Sequence, residues 1–182
     1  MRTQVEDRYV AALEKERDSA REAERIMVGL LKKATEKLGI KRDNLIIKNY
    51  PVRNFSSYRQ DILDDLIFIA RDIQPELIFL PSCFDIHQDH STIFEEGRRA
   101  FKRNSILGYE FMWNNFSFET TCFSVVQKKH IDNKIEAIEE YKSQKHRFYS
   151  ADKIVTGLAT YRGLQISAEY AEAFQVIRWV MK

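Results

Sequence analysis

The sequence predicts an α/β domain in which helices cover a mostly parallel sheet. Three observations point there. Two short apolar runs, 45–50 before Pro51 and Leu77 to Leu80 between Pro75 and Pro81, have the length and proline ends of buried strands. The segments between such runs place apolar residues three and four apart, the spacing of a helix face. Read in order as far as residue 126, the pattern is helix, strand, helix, strand, helix, strand, strand.

The first helix spans 5–38. Tyr9, Leu13, Ala20, Ala23, Met27, Leu30, Ala34 and Leu38 form its stripe, charged residues fill the rest, and Leu38-Gly39 supplies the stop. The strand over 45–50 follows. Ser56 or Ser57 caps a helix carrying Tyr58, Ile62, Leu63, Leu66, Ile67, Ile69 and Ala70. After the 77–80 strand, Ser91 or Thr92 caps a helix with Ile93, Phe94, Gly97, Ala100 and Phe101. Leu107 to Trp113 and Thr121 to Val126 read as strands, the first broken by Asn114-Asn115. Helices over 130–141 and 151–161 and a terminal strand from Gln175 to Val180 complete the set.

The 182 residues suit one domain, 1–182, with a real core. With 29 basic and 27 acidic residues the net charge is +2, which argues against nucleic acid as a partner. No apolar run is long enough to span a membrane, and Met1 to Asp7 lacks the apolar stretch of a signal peptide. Cys83 and Cys122 make no disulfide framework; they read as reduced, near-core thiols. The expected location is the cytoplasm.

The chemistry concentrates just past the 77–80 strand. Asp85, His87, Asp89 and His90 lie within six residues, and they include two of the chain's four histidines. A loop at the carboxyl end of a strand is where open α/β sheets place ligands. Imidazole and carboxylate donors suit zinc, which in catalytic sites takes three protein ligands and keeps a water position open. An unligated histidine beside such an ion donates a hydrogen bond to a developing oxyanion. The ordinary reading is a polar surface loop whose acids cap the helix near Ser91. His130 and His146 flank a charged helix and read as solvent-facing, and Cys83 reads as a small buried thiol. Trp113 with Phe111, Phe116 and Phe118 suits either an apolar substrate pocket or plain core.

These residues resemble a known family. Asp85-Ile86-His87-Gln88-Asp89-His90 is similar to the Asp-x-His-x-Asp-His motif of the PIG-L/LmbE-like zinc-dependent N-deacetylases, which remove acetyl groups from N-acetylglucosamine-type sugars. Lys134 to Gln144 resembles the family's Lys-x-x-Ala-Ile-x-x-Tyr-x-Ser-Gln stretch. Tyr161-Arg162-Gly163 and Ala171-Glu172-Ala173-Phe174 match later landmarks, and Ala34 with Leu38-Gly39-Ile40 resembles the end of an early helix. The resemblance implies a three-layer, Rossmann-like fold and a Zn²⁺ cofactor with His90 as ligand. It makes His87 the residue that stabilises the tetrahedral intermediate. It makes Asp89 the supporting carboxylate that orients a histidine. The implied substrate is an N-acetylated sugar or sugar conjugate.

One departure qualifies these implications. The family's first motif, Ala-His-Pro-Asp-Asp-Glu, supplies two zinc ligands and the general base, and no histidine precedes His87 here. The expectation is a domain without its amino-terminal strands, weak or absent zinc binding, and impaired deacetylation in this chain alone. A homo-oligomer or another chain would complete the site. The alternative is a non-catalytic carbohydrate-binding or interaction protein on the same fold.

Overall fold

The computed structural model describes residues 4–141 and 151–181. His146 and the Lys142-Ser143-Gln144 end of the resembling stretch lie outside the described residues. The chain groups into two compact units, Met1–Ile46 with Gln127–Gly157, and Ile47–Val126 with Leu158–Lys182.

The first unit is helical. Helix α1 runs Gln4–Lys37 as one element, as its stripe predicts. Its last turns pack on a helix over Lys128–Glu139, labelled α4 in chain order, where Ala34, Ile131 and Ala137 are buried. Lys37 Nζ reaches Glu136 at 3.2 Å on the exposed side. Gly39 ends the helix at φ 76°, a left-handed conformation that glycine takes without a Cβ penalty. Exposed His130 serves the structure by closing a capping box with Gln127, where its ring accepts the Gln127 backbone N–H at 3.1 Å.

The second unit holds the sheet. In chain order it contains α2 Arg59–Ile73, β1 Leu77–Pro81, α3 Gln88–Ala100, β2 Ser105–Tyr109, β3 Cys122–Val125 and β4 Ala171–Arg178. Helix α5, Ala151–Leu164, begins among first-unit residues and ends among second-unit ones. Strand order is β1-β2-β4-β3. The fold class is α/β as expected. The sheet is mixed: β1 and β2 are parallel, while β4 runs antiparallel to β2 and β3. Central β2 is buried through Ser105, Ile106, Leu107 and Gly108, which suits a strand covered on both faces. Leu80, Phe101 and Ile106 form the core, with Leu66 and Ala70 of α2 and Ile93 of α3 packed against them. Apolar burial of this kind is the main source of stability, about 25 cal/mol per Å² removed from water.

The expected strand over 45–50 does not form. β-Branched residues make a strand only where a ladder partner exists, and here Ile46 and Ile47 remain exposed. Side chains hold the segment's end instead: Lys48 Nζ and the Tyr50 hydroxyl donate to Asp65 of α2 at 2.8 Å and 2.6 Å. The β2 strand stops at Tyr109 rather than Trp113, because the chain turns at 112–114. The last strand starts at Ala171, four residues earlier than its β-branched part suggests, because Ala171 and Ala173 alternate into the core. Near the end of α5, Arg162 makes a fork on Glu110, at 3.0 Å and 2.5 Å, with each side chain 11% exposed. Among the described residues no helix is long and apolar enough to cross a membrane.

Candidate active site

Because β1 and β2 are parallel, their carboxyl ends open on the same side, and the loops that follow them meet there. Asp85 bridges to Asn115, and the Ile86 N–H donates to the Asn114 carbonyl at 3.2 Å. The Asn115 side chain pins the second loop. Its amide donates to Ser82 Oγ at 2.7 Å, and its oxygen accepts the Phe111 N–H at 2.6 Å. Asn114-Asn115, legible in the sequence only as a strand breaker, is therefore the clasp between the loops.

Helix α3 begins at Gln88, three residues before the expected Ser91 cap. Its N-cap is His87, whose Nδ1 accepts the Asp89 N–H at 3.2 Å. Ser91 and Thr92 turn their hydroxyls to the carbonyls of Asp85 and Gln88. Two motif residues, Asp89 and His90, thus stand in the first turn of α3, and Asp85 stands in the loop before it.

The two histidines are anchored at the same atom by opposite partners. His90 Nδ1 lies 2.6 Å from Asp85 Oδ2. A carboxylate accepts, so this nitrogen donates, and the neutral ring keeps its lone pair on Nε2. Asn114's amide also lies near that nitrogen, at 3.4 Å; the shorter carboxylate contact fixes the proton. His87 is the reverse case. Its Nδ1 accepts a backbone N–H, so the neutral ring carries its proton on Nε2. The ring centroids are 4.6 Å apart with a 31° tilt. An Nε2 acceptor and an Nε2 donor therefore stand side by side.

Asp85 is the carboxylate that orients a histidine. It is buried, and its second oxygen accepts the His87 backbone N–H at 2.9 Å. Asp89, for which the family resemblance implies that role, places its oxygens on the backbone N–H groups of Arg53 and Phe55 at 2.6 Å and 3.3 Å. It is buried and fixes the 53–55 turn, where Arg53 sits at φ 67°. With the helix expected to start at Ser91 or Thr92 the sequence held no local signal for this pairing; the start at Gln88 is what places His90 over Asp85.

Around the histidines the surroundings are aromatic. Phe111 stands edge-on to His90 at 5.7 Å and to Trp113 at 4.5 Å between centroids. The aromatic residues of this loop are not core: Phe116 is 88% exposed and Trp113 is 39% exposed. Cys83, expected to be buried, is exposed on the bend after β1, beside the Gln175 amide at 3.1 Å. Tyr109, at the end of β2, has its phenol pushed up to about 12 by burial and, second, by the Asp85 charge.

No family model and no curated protein sequence matches this chain. Solved structures do. The conserved protein TT1542 from Thermus thermophilus is 18% identical over 87% of this chain and 75% of its own, with a TM-score of 0.59. The N,N′-diacetylchitobiose deacetylase from Pyrococcus horikoshii, solved with an inhibitor, is 18% identical over 84% of this chain, with a TM-score of 0.60. This chain has the PIG-L/LmbE-like deacetylase fold. It spans 63% of the chitobiose deacetylase's length. The deacetylase fold also carries other chemistry: GalB, the 4-carboxy-2-hydroxymuconate hydratase from Pseudomonas putida KT2440, shares it at 18% identity over 82% of this chain and 70% of its own, with a TM-score of 0.59. The reaction must therefore be argued from the site.

Zinc is the metal that the resemblance implies, and the donor chemistry tests it. His90 Nε2 is one suitable ligand, oriented by a carboxylate as zinc-bound histidines are. His87 presents a proton instead of a lone pair, and Asp85 and Asp89 are engaged with Nδ1 and backbone amides. Among the described residues no group of three histidine, cysteine or acidic side chains is placed to hold an ion. Taken alone, these residues do not make a zinc site.

Proposed function

We propose that the site acts on the N-acetyl amide of a sugar or sugar conjugate, and that its chemistry is amide hydrolysis. The observation behind this reading is the opposite anchoring of the two imidazoles. His87 Nε2–H is a preformed donor for the amide oxygen. As a water molecule adds to the carbonyl carbon and makes it tetrahedral, that oxygen gains charge and the hydrogen bond strengthens, so the donor favours the transition state over the ground state; the C–N bond then breaks, giving acetate and an amine that takes up the water's proton. His90 Nε2 offers a lone pair whose direction Asp85 fixes. Asp89 contributes by holding the 53–55 turn against the first turn of α3.

Zinc dependence enters this proposal at one residue. His90 would hold the ion through Nε2, and a second copy or another chain would have to bring the remaining ligands and the general base. Deacetylation by this chain alone is correspondingly slow. A second reading, a carbohydrate-binding protein without catalysis, draws on the incomplete donor set and the exposed aromatic residues beside the histidines.

The test is amine and acetate release from p-nitrophenyl N-acetyl-β-glucosaminide in the presence of added zinc, with His87→Ala and His90→Ala alongside. The proposal expects release above the buffer rate that both substitutions abolish. Saturable glycoside binding with no release, unchanged by either substitution, overturns hydrolysis and leaves the binding reading.

A further inference from the structure

The ring contacts at the site run outward in a series. His90 meets the edge of Phe111 at 5.7 Å, and Phe111 meets Trp113 at 4.5 Å. Those two separations put the Trp113 indole within about 10 Å of the His90 ring. This is the reach of one sugar ring beyond an amide held at the histidines. The turn that carries these rings is closed on itself, Phe111 N–H donating to the Asn115 side chain, and is tied down just past Trp113, where Asn115 donates to Ser82 and the Asn114 carbonyl accepts from Ile86. Trp113 is 39% exposed on that fixed loop, and a stiff, part-exposed indole is presented at little conformational cost.

We propose that Trp113 is the platform on which the pyranose ring of the substrate stacks, with Phe111 holding the indole at its angle. The apolar C–H face of a pyranose matches an indole face, while the polar rim of the sugar stays in water. The platform then sets specificity for a sugar ring next to the amide, and His87 and His90 act on the amide itself. This rests on the N-acetyl sugar reading above and assigns its ring-binding residue.

The chain has two tryptophans, and Trp179 lines a shallow cleft with Glu76, Leu77 and Ser105 at the amino ends of β1 and β2, away from the site. Trp179→Phe therefore leaves Trp113 as the sole indole reporter. Three probes are titrated into that protein: methyl N-acetyl-β-glucosaminide, methyl β-glucoside and N-methylacetamide. Trp113 emission and the His87 imidazole NMR signals are followed together. The proposal expects the N-acetyl glycoside to change both signals. It expects Trp113→Ala to weaken that glycoside about tenfold, with Trp113→Phe recovering most of the loss and N-methylacetamide unaffected. Emission that stays constant at saturation, or an affinity that Trp113→Ala leaves unchanged, overturns the platform. Equal binding and emission change with the N-acetyl and plain glycosides keeps the platform and overturns the amide reading. Shifted His87 signals with silent Trp113 do the reverse.

Discussion

The exchange Asp85→Asn isolates what the buried carboxylate does, because it keeps the shape and removes the charge. Asp85 accepts from His90 Nδ1 at 2.6 Å and from the His87 N–H at 2.9 Å, and its side chain is 1% exposed. Hydrogen bonds to a buried charged group contribute about 1.5–3 kcal/mol each, against about 0.5–1.5 kcal/mol for neutral ones. Two such bonds lose about 2–3 kcal/mol together when the charge is removed. Asparagine still accepts the His87 N–H through its oxygen, which leaves its NH₂ facing His90. A donor there demands a lone pair on His90 Nδ1, so the ring proton moves to Nε2. The outward edge of His90 changes from acceptor to donor. Two-bond ¹⁵N–¹H spectra of labelled histidine read the tautomer directly, and denaturant unfolding reads the stability. Tyr109 gives an internal check, since its phenol loses the Asp85 charge and titrates lower than in the parent. A variant in which His90 keeps its proton on Nδ1, or in which the unfolding midpoint is unchanged, would show that the Asp85 charge neither sets the tautomer nor stabilises the fold.

Tyr50 makes the alkaline limb of stability testable. Burial first, and then its hydrogen bond to Asp65, push the phenol up to about 12. An unfolded tyrosine titrates near 10, so this contribution is full below about pH 10 and is lost as pH rises toward 12. Tyr50→Phe should cost about 1 kcal/mol at neutral pH and flatten the loss of melting temperature above pH 10. Gly163→Ala places a Cβ 2.6 Å from the Ala168 carbonyl oxygen and 2.8 Å from that of Glu169, so the backbone must shift at a cost of about 1–3 kcal/mol. Thermal unfolding checks it. Arg162→Met strands the Glu110 carboxylate in its largely buried site, and denaturant titration should show a loss of about 3–5 kcal/mol.

The sequence shows the elements more clearly than their pairing. Residues 77–80 and the stripe of α1 are legible because their apolar period and their proline or glycine ends are local properties. The segment 45–50 has the same composition as a strand and is not one, because a strand depends on a partner that local composition does not specify. At the site, the residue types in the Asp-x-His-x-Asp-His run mark a chemical centre, but the assignment of Asp85 and Asp89 to their partners does not follow from order alone. It follows from where α3 starts. With the helix beginning at Gln88, Asp85 faces His90, and Asp89 faces the backbone of 53–55, which lies 34 to 36 residues away in the chain. The clasp of Asn115 on Ser82 is likewise a contact between distant residues, so the two asparagines read locally only as a break.

Whether the paired imidazoles hold an N-acetyl amide is read by an NMR titration of the His87 and His90 ring signals with methyl N-acetyl-β-glucosaminide and with its de-acetylated counterpart, without added metal. A hydrogen bond from His87 Nε2–H to the amide oxygen gives a saturable shift of that signal with the acetylated glycoside and none with the free amine. Equal shifts with both, or none with either at millimolar ligand, would contradict it.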